Sequence, residues 1–148
     1  MKKIVLLFTA ALFAMTTSCD ETKRVLDVAG DVQLSGTYTV TQINSKASTA
    51  NNTDEQTLSF AALDRSIRGN TGCNTFFGNY TIDLYAITIG DLAVTKKACS
   101  ASVMTQEDNL LVALNNTGSY SLQDDTLTLL SKTDRSVLLT AKKQTQEN

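Results

Sequence analysis

The chain has 148 residues, 42% of them hydrophobic and 19% charged, and a net charge of −2, which is enough for one domain with a single core and too little for two ordinary ones. It contains no His, no Trp and no Pro, so the usual general base, the usual proton shuttle and the commonest metal ligand are missing together, as is the side chain best suited to stacking on sugars. No basic stripe stands out to neutralise phosphates, which argues against nucleic acid as a partner; Lys96-Lys97 and Lys142-Lys143 are short pairs that read as solvated faces or strand ends.

Lys2 and Lys3, followed by an apolar run from Ile4 to Met15, form a secretion signal over residues 1–18, a run too short for a comfortable permanent span. It ends in Thr16-Thr17-Ser18-Cys19, and small residues before a lone Cys resemble the lipobox of bacterial lipoproteins, in which that Cys becomes the acylated N-terminus. Ordinary cleavage is the alternative, but it would leave an exposed reactive thiol on an exported protein. Each buried methylene of an acyl chain contributes about 0.8 kcal/mol, so two or three chains would hold Cys19 at a membrane where one would exchange. The mature chain then keeps eleven basic and fifteen acidic residues, a net charge of −4. Residues 19–33 read as a polar tether, with Val25-Leu26 and Val28-Ala29 able to form a short amphipathic turn. As a disordered segment it would reach roughly 20 Å.

From there on, β-branched and aromatic runs recur between Gly, Asn and Asp clusters, the pattern of an antiparallel barrel or sandwich. Strands are predicted at 36–43, 56–63, 66–69, 77–83, 85–89 continuing loosely through 92–96, 118–123, 126–131 and 136–142. Residues 44–54 carry Ser, Thr and Asn without an apolar period and read as a mobile loop. Asp64-Arg65, Asp124-Asp125 and Thr133-Asp134-Arg135 are turn material. Alternation is clearest late in the chain, where Tyr120 and Leu122, Leu127 and Leu129, and Val137 and Leu139 keep a period of two. Tyr38, Tyr80, Tyr85 and Tyr120 all fall in predicted strands and read as barrel or edge packing. One segment breaks this period: Val103, Met104, Glu107, Leu110, Leu111 and Leu114 follow spacings of three and four, which predicts a helix over 103–114. Ser102 is its expected cap, Glu107 and Asp108 sit toward its positive end, and Asn115-Asn116 with Gly118 can end it. Packed through Leu110, Leu111 and Leu114, it could plug a barrel mouth or lie against the wall.

The most specific stretch is Gly72-Cys73-Asn74-Thr75-Phe76-Phe77-Gly78-Asn79-Tyr80, taken with Thr95-Lys96-Lys97-Ala98-Cys99. These blocks, with Leu34-Ser35-Gly36-Thr37-Tyr38 before them and Met104-Thr105-Gln106-Glu107 after, resemble the META domain, the HslJ-like family of small bacterial envelope lipoproteins. The resemblance runs from Leu34 to Ala141; Tyr38 stands where many members have Trp, and Asp91 and Ser100 stand near sites where prolines are frequent. It implies a mainly β fold, a small antiparallel β-barrel of lipocalin-like class with one packed helix, over residues 34–143, leaving 144–148 as a polar tail. It also implies an envelope location, at the outer membrane once Cys19 is acylated, and an association with stress and antibiotic tolerance. No catalytic residue set comes with it.

Cys73 and Cys99 remain once Cys19 carries lipid, and two thiols in an oxidising compartment are most economically paired. Unpaired buried thiols come second; redox chemistry lacks a C-x-x-C spacing, and metal binding lacks His and enough thiols. Asn74, Asn79, Thr95 and Lys96 are the polar residues of the family-like blocks and the candidates for a shared binding groove, each with a structural alternative: turn capping, an outward strand position or a solvated amine. Asp125-Thr126-Leu127 resembles a short O-glycosylation acceptor used in Bacteroidetes, which nominates Thr126; a tight turn explains the same residues. The expected protein has no cofactor and is not an enzyme. Its partners would be the membrane, through the N-terminal lipid, and either envelope proteins or a small apolar ligand inside the barrel.

Overall fold

A computed structural model describes residues 29–48 and 55–145. The signal segment, Cys19, the tether as far as residue 28 and residues 146–148 lie outside the described residues. The strands are β1 (Gly36–Ile43), β2 (Lys46–Ala47), β3 (Thr57–Ala61), β4 (Ser66–Asn70), β5 (Thr75–Asp83), β6 (Ala86–Ile89), β7 (Ala93–Val94), β8 (Thr117–Gln123), β9 (Thr126–Ser131) and β10 (Val137–Lys143), with one long helix, α1 (Ala101–Asn115), between β7 and β8. Successive long strands pair antiparallel in the order β1-β3-β4-β5-β6-β8-β9-β10, and β10 returns to β1, closing an eight-stranded up-and-down barrel. Closure pairs each of these eight strands on both sides, most thinly between β6 and β8, which meet through Ala86 and Ser119. The short β2 and β7 add to the wall beside β1 and β5.

Period-two alternation drives the wall inward. Along β5 buried and exposed residues alternate over all nine positions, with Phe76, Gly78, Tyr80 and Ile82 pointing in. Burying side chains of this size contributes about 1.5–3 kcal/mol each. Tyr38, Phe60 and Tyr80 stack edge to face through the middle, with ring centroids 6.2 and 5.4 Å apart, and Leu58, Ile67, Leu127, Leu129 and Leu139 complete the filling. Two-residue hairpins at Asn44-Ser45 and Asp124-Asp125 have positive φ at both positions (49° and 62°, 46° and 61°), the backbone of the tight turns whose twist matches the strands they join.

Helix α1 begins two residues earlier than its apolar spacing suggests, because Ser100, and not Ser102, is the N-cap; the Ser100 side chain makes no capping bond. The helix lies over the barrel end where β1 finishes and β10 starts. It buries Val103, Glu107, Leu110, Ala113 and Leu114, while Leu111 is only partly covered. Glu107 therefore faces the protein interior rather than serving the helix dipole.

Three further expectations are corrected. The polar loop at 44–54 includes a turn and the strand β2; residues 49–54 are outside the described residues. Residues 29–33, read as tether, are helical together with Leu34 and pack on the opposite end of the barrel. Asp31 there is buried and receives Arg65 through Nη2 at 2.8 Å and Nε at 3.0 Å, and the Tyr38 hydroxyl donates to Leu34 O at 2.8 Å. The first of these contacts joins residues 34 apart and has no local sequence signature, while the second links the helical segment to β1 four residues on. Finally, Tyr85 sits at the β5–β6 hairpin tip and is 77% exposed, whereas Tyr38, Tyr80 and Tyr120 are buried.

Two outcomes test this packing. Leu110→Ala, at a fully buried position, should destabilise by about 2–5 kcal/mol, and Leu111→Ala by clearly less, read as urea midpoints at unchanged m-value. Burial, followed by nearby acidic charge, pushes the Tyr38 and Tyr80 phenols from 10.0 up to about 12. The fold thus favours the neutral phenols, a contribution complete below pH 10 and lost as pH rises through about 12. Melting temperature should fall across that window, less steeply in Tyr80→Phe; identical alkaline slopes would contradict the assignment.

Candidate functional site

Between β4 and β5 the chain reverses through Thr71-Gly72-Cys73-Asn74. Thr71 N donates to Asn74 O at 2.7 Å, and Asn74 N donates to Thr71 Oγ1 at 2.8 Å. Gly72 takes φ +93°, a left-handed backbone that L side chains resist, and its N–H donates to Asn70 Oδ1 at 2.7 Å. This tight reversal turns the Asn74 side chain inward, where it is 1% exposed.

There Asn74 ties three segments together. Its Oδ1 accepts from Lys97 N at 2.7 Å and from the Thr95 hydroxyl at 2.9 Å. Its Nδ2 donates to Glu107 Oε1 at 3.1 Å and to Lys97 O at 3.3 Å. The other Glu107 oxygen, Oε2, accepts from the Thr71 hydroxyl. Gln56 extends the cluster outward, donating from Nε2 to Thr71 O at 2.8 Å while its Oε1 accepts from Ser48 Oγ at 2.7 Å. The Cys73–Cys99 disulfide closes over the same junction across 26 residues, with Cα atoms 6.1 Å apart, within the ordinary range for a bridge.

Burying a carboxyl without partners would cost several kcal/mol. At Glu107 both oxygens are engaged, by Asn74 and Thr71, so hydrogen bonds offset the lost hydration. Among the described residues no group of three or more His, Cys, Asp or Glu is placed to hold a metal ion. Beside the cluster lies an open groove of about 260 Å³, lined by Ile43, Asn44, Lys46, Gln56, Gln106 and Asn109.

Of the four sequence candidates, the structure brings together Asn74 and Thr95 only. Lys96 is exposed, and its neighbour Lys97 supplies the backbone contacts. Asn79 faces out of β5 opposite Ser66 in register, away from the cluster. Thr126 opens β9 directly after the Asp124-Asp125 hairpin, so turn geometry accounts for its surroundings. Gln56, Thr71 and Glu107 were missed. Glu107 had a signal: Val103, Glu107, Leu110 and Leu114 follow spacings of four, three and four, so a carboxyl sits on the apolar stripe of the helix.

A family model for the META domain matches residues 31–144. Three solved structures resemble the chain. One, determined by NMR, is of a protein from Burkholderia xenovorans, with 21% identity, TM-score 0.64 and coverage of 80% of this chain and 89% of that one. A second NMR structure has 23% identity, TM-score 0.60 and coverage of 76% and 92%. The third is a crystal structure of a DUF4847 family protein from Bacteroides vulgatus, with 18% identity, TM-score 0.57 and coverage of 80% and 99%. At such identities the likeness is one of fold. No curated protein matches the chain.

Asn74→Ala should strand the Glu107 carboxyl and the Lys97 backbone and destabilise by about 2–4 kcal/mol. Lys96→Ala and Asn79→Ala, at exposed positions, should stay within about 0.5 kcal/mol of the parent. Chemical denaturation of the three variants under oxidising conditions measures this directly; an Asn74→Ala protein as stable as the parent would remove the clamp role.

Proposed function

The chain belongs to the META domain family, and from that premise we propose that it is a lipid-anchored protein of the bacterial cell envelope, held at the outer membrane through Cys19, that works by binding or structural maintenance under envelope or drug stress and not by catalysis. The observation that carries the non-catalytic part is the state of Asn74, Thr95 and Glu107. Asn74, Thr95 and Glu107 are already bonded to one another and to the Lys97 backbone, an arrangement that suits holding a scaffold together.

Other features support the setting. The basic start, apolar run and small residues before Cys19 suit export and acylation. A Cys73–Cys99 bridge suits an oxidising compartment and would stabilise the fold by roughly 3–4 kcal/mol on the chain-entropy model. The role under stress rests on the family resemblance. Carriage of an apolar ligand inside the barrel is the weaker reading, because Tyr38, Phe60, Tyr80 and the leucines around them fill the interior. An enzyme would need a nucleophile and base converging on an open site, and the one buried carboxyl of the cluster is fully engaged.

Cys19→Ala should move the protein from the detergent-extracted membrane fraction to the soluble fraction, and the parent N-terminal peptide should carry the mass of acyl chains. Unchanged partition with no lipid mass would defeat the anchor. Under envelope stress, a deletion strain should be rescued by the parent and by Lys96→Ala. Saturable turnover of a substrate by the purified protein, abolished in a variant that still folds, would defeat the non-catalytic reading.

A further inference from the structure

The described residues expose seven large hydrophobic side chains, and four of them, Val32, Leu63, Leu84 and Tyr85, gather at the barrel end opposite α1. Scattered single exposures are ordinary on protein surfaces, but a concentration on one rim is not. Helical residues 29–34 join the two hairpins that carry the patch. Asp31 holds Arg65 of the β3–β4 turn at 2.8 Å, and Ala29, Gly30 and Gln33 line an apolar hollow with Leu84, Tyr85 and Tyr120. Exposure is extreme at the tips: Leu63 is 104% and Tyr85 77% exposed. Leu84 adds a backbone argument, since it holds φ +59°, where Gly or Asn is the ordinary occupant. An apolar residue there goes against both water and backbone preference.

We propose that this end of the barrel is a membrane-contacting surface, with Leu63, Leu84, Tyr85 and Val32 resting in the headgroup region of the bilayer that holds the lipid anchor. The proposal rests on the acylation of Cys19 and adds an orientation to it. Nine residues, 20–28, separate Cys19 from the docked helical segment. At full extension nine residues span at most about 32 Å. The nine residues of β5 run about 30 Å, so with strands tilted at roughly 40° the barrel is some 23 Å tall. The anchor thus favours contact with the near rim, and the far end with α1 and the disulfide faces away. An aromatic tip such as Tyr85 suits the interface, where its ring can leave water while its hydroxyl stays hydrated. At this end Asp64, Asp83, Asp124 and Asp125 outnumber Lys142 and Lys143, Arg65 being paired with Asp31, so the rim is net acidic and a zwitterionic surface suits it better than an anionic one.

Because the chain has no Trp, single reporters are unambiguous. Leu63→Trp, Tyr85→Trp and, at the far end, Val137→Trp would be purified as acylated protein and reconstituted in phosphatidylcholine vesicles with brominated acyl chains, with folding checked by circular dichroism. Flotation with the vesicles tests the anchor separately. The expected result is flotation of all three, with at least about threefold stronger quenching of the Leu63 and Tyr85 reporters than of the Val137 reporter, consistent with shallow burial, and a smaller difference when anionic lipid is added. Protein that floats with equal quenching at the three sites overturns the orientation and leaves the anchor standing. Protein that does not float overturns both. Reporters that are blue-shifted without vesicles, in a protein that sediments as a dimer, would assign the patch to a second copy and also overturn the proposal.

Discussion

The barrel wall has one thin seam, and the rest of the structure is arranged around holding it shut. Strands β6 and β8 share a single bridge, Ala86 to Ser119, whereas the other neighbouring long strands pair over four residues or more. The seam exists because the connection between those strands is the longest in the domain, carrying β7 and α1 before the chain returns. A long connection brings entropy that a single ladder bond cannot offset. Asn74 and the Cys73–Cys99 bridge act at this point. They clamp the start of that connection, through Thr95, Lys97 and Cys99, to the turn before β5, and Glu107 carries the same clamp into the helix. With helix and linker fixed, Leu110 and Leu114 are delivered into the core, and the wall closes over a filled interior.

In this arrangement the polar residues prominent in the sequence include one, Asn74, that fixes the geometry of the junction. Asn74 presents both donors and an acceptor, and a buried amide of this kind specifies geometry only if nearly all its bonds are made. Each bond it makes removes one available to a ligand. At Asn74 and Glu107 those bonds join the turn before β5, the linker and the helix. What remains accessible is surface: the open groove near Gln56 and Asn109 and the apolar rim at the other end.

The two ends of the barrel differ in chemistry. One is polar, cross-linked and covered by α1; the other is closed by residues 29–34 and ringed by apolar hairpin tips. The helical closure at 29–34 is held by an ion pair in which Asp31 is buried and Arg65 is partly exposed, a contact whose removal of one partner would leave a charge without compensation. Family matching from residue 31 agrees with counting this segment as part of the domain.

The eight long strands of the barrel and the helix were legible in the residues alone, because each is set by local pattern, while the two-residue β2 was not. A period of two in β8 and β9 or of three and four in α1 dictates which side chains can share a face, whereas in β10 a register shift between Val137 and Leu139 leaves Val137 exposed and only Leu139 in the core, against the even alternation expected there. The cysteine pairing was legible too, from parity and compartment. Other features depended on which loop ends meet in space. Local pattern could place Glu107 on an apolar stripe but could not supply Thr71 and Asn74 as its partners, 36 and 33 residues away. It could mark Asn74, Asn79, Thr95 and Lys96 as polar, but only the tight reversal at Thr71–Asn74 buries Asn74 and brings it to Thr95, while Asn79 faces out of β5 and Lys96 stays exposed. It read residues 29–33 as tether because their stability comes from Arg65 and the barrel end, not from their own period. The gathering of Val32, Leu63, Leu84 and Tyr85 on one rim was likewise invisible in the sequence, since three separate segments reach it only once the sheet has curled and closed.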